Sequence, residues 1–336
     1  MKNCKTYNYT SLKAKNLGVC MQIQTSESIL KLKNPSKQEF SNKWKNYKPF
    51  VIEGVAKHWD ACHKWSNDYL VQQCGNNIVN IQFYAEDFFD NYRKFSYEDG
   101  YDYINKDIPY KEYINNYVNK VNQNNNSDIR CYLPSAVFEK TFPELVADVT
   151  YPKYLNRKPL ISFWHGLSSK AFSSTTVLHF DGFHNLFVQI RGKKRILLFP
   201  PSNYLSFYPP LEDSLGLADY SKVDPNYPNL ELFPRFPWQD KIEVILQPGE
   251  ILYIPPYWWH HVTALEENIS LSFFYDVIIQ DYFQQKNLLS VFLKIAPYYL
   301  YHAISSPDGM WTAIALLKSL IIPGSFTESI RQRNSQ

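Results

Sequence analysis

The sequence predicts a mainly β fold: a double-stranded β-helix with surrounding helices and a helical appendage at its C-terminal end. Three observations point there. From Pro159 to Tyr275 β-branched and aromatic residues dominate, in strand-length runs punctuated by Gly and Pro. Inside that span, Ser173 to Pro200 (SSTTVLHFDGFHNLFVQIRGKKRILLFP) reads as strand, turn, strand, tight turn, strand. Past Asp276 the pattern changes to two apolar, helix-like segments.

Residues 1–50 carry ten Lys against two acidic residues, Glu27 and Glu39. That is a solvated basic face or, as the sharper reading, a docking surface for an acidic partner. In 48–65 (KPFVIEGVAKHWDACHKW) a short apolar run, Pro49 to Ile52, leads through Gly54 into a helix-like segment where Trp59 and Trp65 pack. Ser66 is placed to cap the helix NDYLVQQCG, and Gly75 to end it. IVNIQFYA, residues 78–85, is a strand by composition. Residues 86–130 are polar and Tyr-rich. They hold a turn at Asp107-Ile108-Pro109, an amphipathic helix over 112–123 with the stripe Ile114, Tyr117, Val118 and Val121, and a surface loop at 122–128. The strand IRCYLPSAVF follows, and 143–156 supply a short helix and its exit.

Leu160 to Gly166 is the next strand, bounded by its glycine. The central hairpin comes after it, with Arg191-Gly192 as its tight turn. Residues 200–240 are rich in Pro, Tyr and Asp without periodicity, a long irregular excursion of the kind that surrounds functional sites. Residues 241–262 read as strand, Pro248-Gly249 turn, strand, loop and start of strand, and 268–276 as a further strand. The segments 281–306 and 309–322 are helices, the first interrupted near Pro297. They pack back on the barrel or serve dimerisation, and the tail 326–336 frays. The expected organisation is an N-terminal α/β region (1–130), the barrel (131–276) and a C-terminal helical region (277–336).

A chain of 336 residues allows one catalytic domain plus an appendage. Aromatics reach 17%, which predicts an aromatic core and aromatic-lined clefts. A net charge of +3 indicates no global nucleic-acid surface, although a local one stays open. The five cysteines are scattered without a CxxC, which argues against a disulfide scaffold or a structural zinc site. The start lacks an apolar signal-peptide core, and no run is apolar and long enough to span a membrane. The expectation is a soluble protein of a reducing compartment, the cytoplasm or, in a eukaryote, the nucleus.

The chemistry gathers at His179-Phe180-Asp181. Side chains at i and i+2 of a strand share a face, so His179 and Asp181 aim into one space and Phe180 packs the other way. An imidazole and a carboxylate there are two members of a 2-His-1-carboxylate triad, the arrangement that holds non-haem Fe(II) with positions open. The third ligand should come from a distant strand, and PGEILYIPPYWWHHV offers His260, about 80 residues away. His261 then points outward by alternation. His184, on the next strand, is the competing ligand. Zinc-dependent hydrolysis would use similar ligand types. A dicarboxylate chelator such as 2-oxoglutarate needs a cation nearby, and Lys194 of RGKKR is the one that can face the ligands. Thr176 could add a hydroxyl, with Tyr132 and Asn185 donating from adjacent strands.

These residues resemble the JmjC and cupin-8 group of Fe(II)- and 2-oxoglutarate-dependent oxygenases, on the branch of the factor-inhibiting-HIF asparaginyl hydroxylase. The resemblance covers roughly residues 45–276 and is strongest in LHFDGFHNLFVQIRGKKRILLFPP and PGEILYIPPYWWHHV. It implies a jelly-roll barrel with Fe(II) on His179, Asp181 and His260, and 2-oxoglutarate with its far carboxylate on Lys194, helped by Thr176 and Tyr132. Asn185 matches the family's asparagine on the strand after the HxD motif. Ser272 of SFFY stands where the hydroxylase has Asn, a shorter polar group. Gly182-Phe183-His184 is less polar than the hydroxylase's loop, so substrate identity does not carry over. The implied reaction is hydroxylation with O2 and decarboxylation of 2-oxoglutarate to succinate. A protein side chain is the first substrate class. A modified tRNA base is the main alternative, with small-molecule hydroxylation, lysine demethylation and a catalytically inactive binding protein behind it. The C-terminal helices resemble the family's dimerisation appendage in position.

Overall fold

The computed structural model describes residues 28–84, 103–124, 128–169, 172–210 and 219–305, with positions 314, 318, 321, 322, 325 and 327 beyond. The strands are β1 (Lys31–Lys33), β2 (Phe50–Glu53), β3 (Ile78–Tyr84), β4 (Tyr103–Pro109), β5 (Cys131–Val137), β6 (Leu160–Gly166) and β7 (Thr175–His179). They continue as β8 (His184–Arg191), β9 (Lys194–Phe199), β10 (Ile242–Leu246), β11 (Ile251–Ile254), β12 (Trp259–Ala264) and β13 (Asn268–Tyr275). The α-helices are α1 (Lys37–Trp44), α2 (Asp60–Lys64), α3 (Asn67–Cys74), α4 (Tyr110–Tyr113), α5 (Asn119–Gln123), α6 (Phe138–Thr141), α7 (Ile279–Gln284) and α8 (Leu288–Ser305).

Two sheets face each other. The larger runs β1-β2-β11-β8-β13-β6-β5-β3-β4, and the smaller β10-β9-β12-β7. From β6 to β13 consecutive strands alternate between the sheets except where β9 passes to β10, which is the path of a double-stranded β-helix, so the predicted jelly roll is present. The N-terminal strands β1–β5 extend the larger sheet on both sides of this barrel.

That path corrects the central hairpin. β8 and β9 do not pair: β8 lies between β11 and β13, and β9 between β10 and β12. The tight turn is real, but it carries the chain from one sheet to the other. Gly192 makes it with φ +65°, and a Cβ there would lie 2.0 Å from the Glu267 carbonyl oxygen. The Pro248-Gly249 turn likewise joins β10 and β11, which belong to different sheets.

Apolar side chains fill both sides of the larger sheet. Trp59, Trp65, Phe138, Phe163 and Phe273 pack in one buried cluster under the N-terminal helices. A second cluster surrounds the smaller sheet and includes Phe180, Phe199, Phe207 and Trp259. Fully burying one such side chain is worth about 1.5–3 kcal/mol. The predicted cap is made: Ser66 Oγ accepts the Tyr69 N–H at 3.2 Å. The helical stretch 110–123 buries Ile114, Val118 and Val121 as its stripe requires, with a π-helical turn over Ile114–Val118.

Three local expectations are corrected. Asp107-Ile108-Pro109 is no turn but the end of β4, paired with β3 through Ile78↔Pro109. Pro109 is tolerated because β4 is an edge strand. The C-terminal helical segment breaks at Gln285–Asn287, where Asn287 has φ +71°, and Pro297 sits inside α8. In the tail, Thr327 is buried and its N–H donates to Asp276 Oδ1 at 3.2 Å, so that position does not fray. Residues 1–27, most of the second predicted helix at 309–322 and the end of the tail lie outside the described residues. No helix among the described residues is long and apolar enough to cross a membrane.

Candidate metal centre

His179 ends β7 and His260 lies near the start of β12. They are direct cross-strand partners, so their rings share a face, with centroids 4.2 Å apart. The chain stays extended past His179: the Phe180 N–H donates to the Asp219 carbonyl at 3.0 Å, and the Tyr257 N–H to the Asp181 carbonyl at 2.7 Å. Asp181 therefore returns to the face of His179, as the two-residue spacing predicts. Its Oδ1 is 3.9 Å from His179 Nε2, and its Oδ2 is 3.5 Å from His260 Nε2. One ligand atom from each of the three residues can be chosen so that all lie within 4.8 Å of one another.

Backbone carbonyls orient both imidazoles. His179 Nδ1 bonds the Val177 carbonyl at 2.8 Å, and His260 Nδ1 the Trp258 carbonyl at 2.9 Å. Only a protonated Nδ1 can make those bonds, so in the neutral imidazole it is Nε2 that carries the lone pair facing Asp181. Burial, then the neighbouring His260, pushes the His179 imidazole down to about 4, which keeps it neutral and ready to ligate. Burial would raise the Asp181 carboxyl, but its contacts with His260 and His179 outweigh that and hold it below its ordinary value.

The three residues line a cavity of about 490 Å³ between the sheets, within the size of small-ligand sites. Lys194 lies in the same cavity and is only 2% exposed. Its Nζ sits 5.2 Å from the Phe187 ring centroid, 5.9 Å from that of Trp164 and 6.0 Å from that of Tyr132. No carboxylate among the described residues pairs with it, and burial alone drives its pKa down to about 7. Tyr132 and Thr176 are hydrogen-bonding neighbours in the same cavity. Asn185 and Ser272 also line it, and the buried Asn185 Oδ1 has no hydrogen-bond partner among the described residues.

The smaller sheet thus contributes Thr176, His179, Lys194 and His260. Tyr132, Asn185 and Ser272 come from the larger sheet across the cavity, which corrects the expectation that Tyr132 and Asn185 stand on adjacent strands. His184 is not at the site. Its Nε2 bonds Asp281 Oδ2 at 3.1 Å and its Nδ1 the Tyr253 hydroxyl at 3.0 Å. His261 faces away from the cavity as expected but is 1% exposed, buried on the outer face of the sheet.

Sequence reasoning missed Trp164, whose indole N–H donates to Ser272 Oγ at 3.1 Å, and the pair Asp219-Tyr220. Tyr220 stacks on His179 with centroids 5.6 Å apart. Burial, reinforced by the charge of Asp181, pushes the Asp219 carboxyl up to about 7. Trp164 lies on a recognised strand, two residues from Ser162, which also lines the cavity. Asp219-Tyr220 sits in the irregular excursion and has no local signal.

The donor set fits a ferrous ion: two imidazole nitrogens with their protons turned away, one ionised carboxylate, and an open cavity beyond. It also fits a dicarboxylate in that cavity, because the buried Lys194 amine has no anionic partner among the described residues.

A β-helix of two facing sheets with a His-Asp-His cluster between them defines the class, and residues 36–281 match the model of the cupin-like domain. The chain belongs to that family, on its JmjC-like side. It is 30% identical over 254 residues to JmjC domain-containing protein D of Dictyostelium discoideum, covering 70% of this chain and 54% of that protein. It is 29% identical over 260 residues to lysine-specific demethylase 8 of Xenopus tropicalis, covering 75% and 54%. It is 26% identical over 260 residues to tRNA wybutosine-synthesizing protein 5 of Mus musculus, covering 74% and 77%. The chain spans about half the length of the first two of these relatives.

Proposed function

We propose that the protein is an Fe(II)- and 2-oxoglutarate-dependent oxygenase that hydroxylates an amino-acid side chain of a protein substrate. The observation that carries this reading is the buried Lys194 in the cavity of the His-Asp-His cluster, which pairs with no carboxylate among the described residues. A zinc hydrolase has use for the cluster but not for a desolvated ammonium beside it. A dicarboxylate cosubstrate has use for both.

In this reading His179, Asp181 and His260 hold the ferrous ion. A ferrous ion held there together with 2-oxoglutarate would supply the oxygen activation, the products being succinate, CO2 and the hydroxylated substrate. The chain's own residues bind and position. Lys194 neutralises the far carboxylate of 2-oxoglutarate, an ion pair strengthened by aromatic walls that exclude water. Thr176 and Tyr132 add hydroxyl donors to the same carboxylate. Asn185 and Ser272 line the same cavity, with Ser272 oriented by Trp164. Tyr84, Tyr103, Phe183 and Phe274 line the cavity with apolar surface for a side chain reaching the metal.

A second reading, hydroxylation of a modified tRNA base, is favoured by one observation: the chain covers 77% of the tRNA wybutosine-synthesizing relative, against 54% of the demethylase-named one. The exposed apolar side chains Phe283, Leu293, Leu300 and Tyr301 support a homodimer through the C-terminal helices, which analytical ultracentrifugation checks.

The test is succinate formation by purified protein with Fe(II), 2-oxoglutarate and O2, wild type against Asp181→Ala. We expect iron-dependent turnover that the substitution abolishes, with protein substrates stimulating it and gaining one oxygen atom. Stimulation by tRNA instead would favour the second reading. Turnover equal in both proteins would overturn the metal assignment.

A further inference from the structure

A second depression lies beside the metal end of the barrel. Its volume is about 1140 Å³, and its wall includes Trp258, two residues before His260, and Pro200–Ser202, which follow the β9 residue paired with Trp259. Lys43 and Lys48 come to it from α1 and the following loop, Lys241 from the residue before β10, and Lys294 from α8. Asp240 is its one acidic lining residue. Lys43, Lys48 and Lys294 are exposed, and Lys241 is half-buried with its Nζ 3.4 Å from the Trp238 ring centroid. None of the four pairs with a carboxylate among the described residues, whereas Lys31 nearby is taken up by Glu53 and Glu250. Four like charges on one concave surface repel one another, and an anionic occupant relieves that repulsion.

We infer that this groove docks an acidic segment of the protein substrate, flanking the residue presented to the metal. The inference rests on the protein-hydroxylase reading and names what that substrate carries. Its floor and walls are mixed: Ile29, Leu30 and Ile242 offer apolar surface between the ammonium groups. That suits a peptide whose carboxylates alternate with apolar side chains. It suits RNA less well. Tyr47, Phe50 and Trp258 in the wall are 5%, 2% and 5% exposed and present no face for base stacking. No arginine lines the groove to fork a phosphate.

The experiment is fluorescence anisotropy with the full chain and a fluorescein-labelled peptide of about twelve residues, roughly 40 Å when extended, built from Glu with interspersed Leu. A Lys/Leu peptide and a single-stranded RNA of similar length serve as comparisons. The expected result is binding of the acidic peptide at least about tenfold tighter than either comparison, weakening steeply with salt as surface charges are screened. K241E/K294E weakens it about tenfold or more while circular dichroism and peptide-independent succinate formation stay as in the wild type. Equal affinity of K241E/K294E for the acidic peptide overturns the proposal, as does no binding by the wild type or tighter binding of RNA. Absent succinate formation in the wild type would strike the oxygenase reading instead, so the two failures are distinguishable.

Discussion

Two histidine–aspartate clusters, whose members Asp181 and His184 are three residues apart in the sequence, have opposite characters. At His184 every ring atom that can bond does so: Nε2 meets Asp281 and Nδ1 meets the Tyr253 hydroxyl. Asp281 also takes both Arg157 terminal nitrogens, at 2.6 and 2.7 Å, and the Ile278 N–H at 2.9 Å. Burial would raise the Asp281 carboxyl, but the His184 bond and the Arg157 charge outweigh it and hold it at about 2. That cluster brings its own cation and closes on itself, fastening α7 to the barrel. At His179, Asp181 and His260 the outer nitrogens are satisfied by carbonyls, and the inner atoms face one another with no protein cation between them. A set of convergent donors that lacks its cation is the one built to receive one.

The comparison breaks most sharply with paired substitutions. Asp181→Ala should lower metal affinity and succinate formation by about 100-fold or more, exceeding even strong outer-shell effects on metal sites. Asp281→Ala should leave metal affinity unchanged and cost about 3–5 kcal/mol of stability in denaturant unfolding, because it strands buried Arg157 and His184. Loss of metal in the second variant at native fold would show that the clusters are one site.

Lys194→Met should abolish saturation by 2-oxoglutarate at accessible concentrations. In the protein without cosubstrate it should raise Tm by about 2–4 °C for each kcal/mol of relieved desolvation. A Tm that falls would mean Lys194 has an internal anionic partner. The pH dependence sharpens the same point. With its pKa near 7 instead of 10.5, Lys194 loses its proton as pH rises through 7. Affinity for 2-oxoglutarate should therefore fall on the alkaline side, toward tenfold per pH unit, with proton uptake on binding measurable by calorimetry in buffers of different ionisation heat. The smallest expected effect is that of Trp164→Phe, which removes the donor to Ser272: about 0.5–1.5 kcal/mol in stability.

Much of this was legible from spacing alone. The i, i+2 rule placed His179 and Asp181 on one face, and strand alternation separated His260 from His261. Strand identity from β6 to β13 followed from composition and turns. What the chain does not spell locally is which sheet a strand enters. A Gly192 turn looks the same whether the next strand pairs back or crosses over, and here it crosses. Pro109 and Pro297 misled for the same reason: an edge strand tolerates the one and a helix interior the other, and both depend on neighbours supplied from elsewhere. Asp219 and Tyr220 reach the cavity through tertiary placement of an aperiodic segment, so no motif announces them.

The most direct test is a crystal structure grown anaerobically with Mn(II) in place of Fe(II) and an inert analogue of 2-oxoglutarate. The account predicts the metal on His179, Asp181 and His260, chelated by the analogue, with the analogue's far carboxylate on Lys194 and hydroxyl contacts from Thr176 and Tyr132. Metal bound elsewhere, or an analogue whose far carboxylate avoids Lys194, would contradict it.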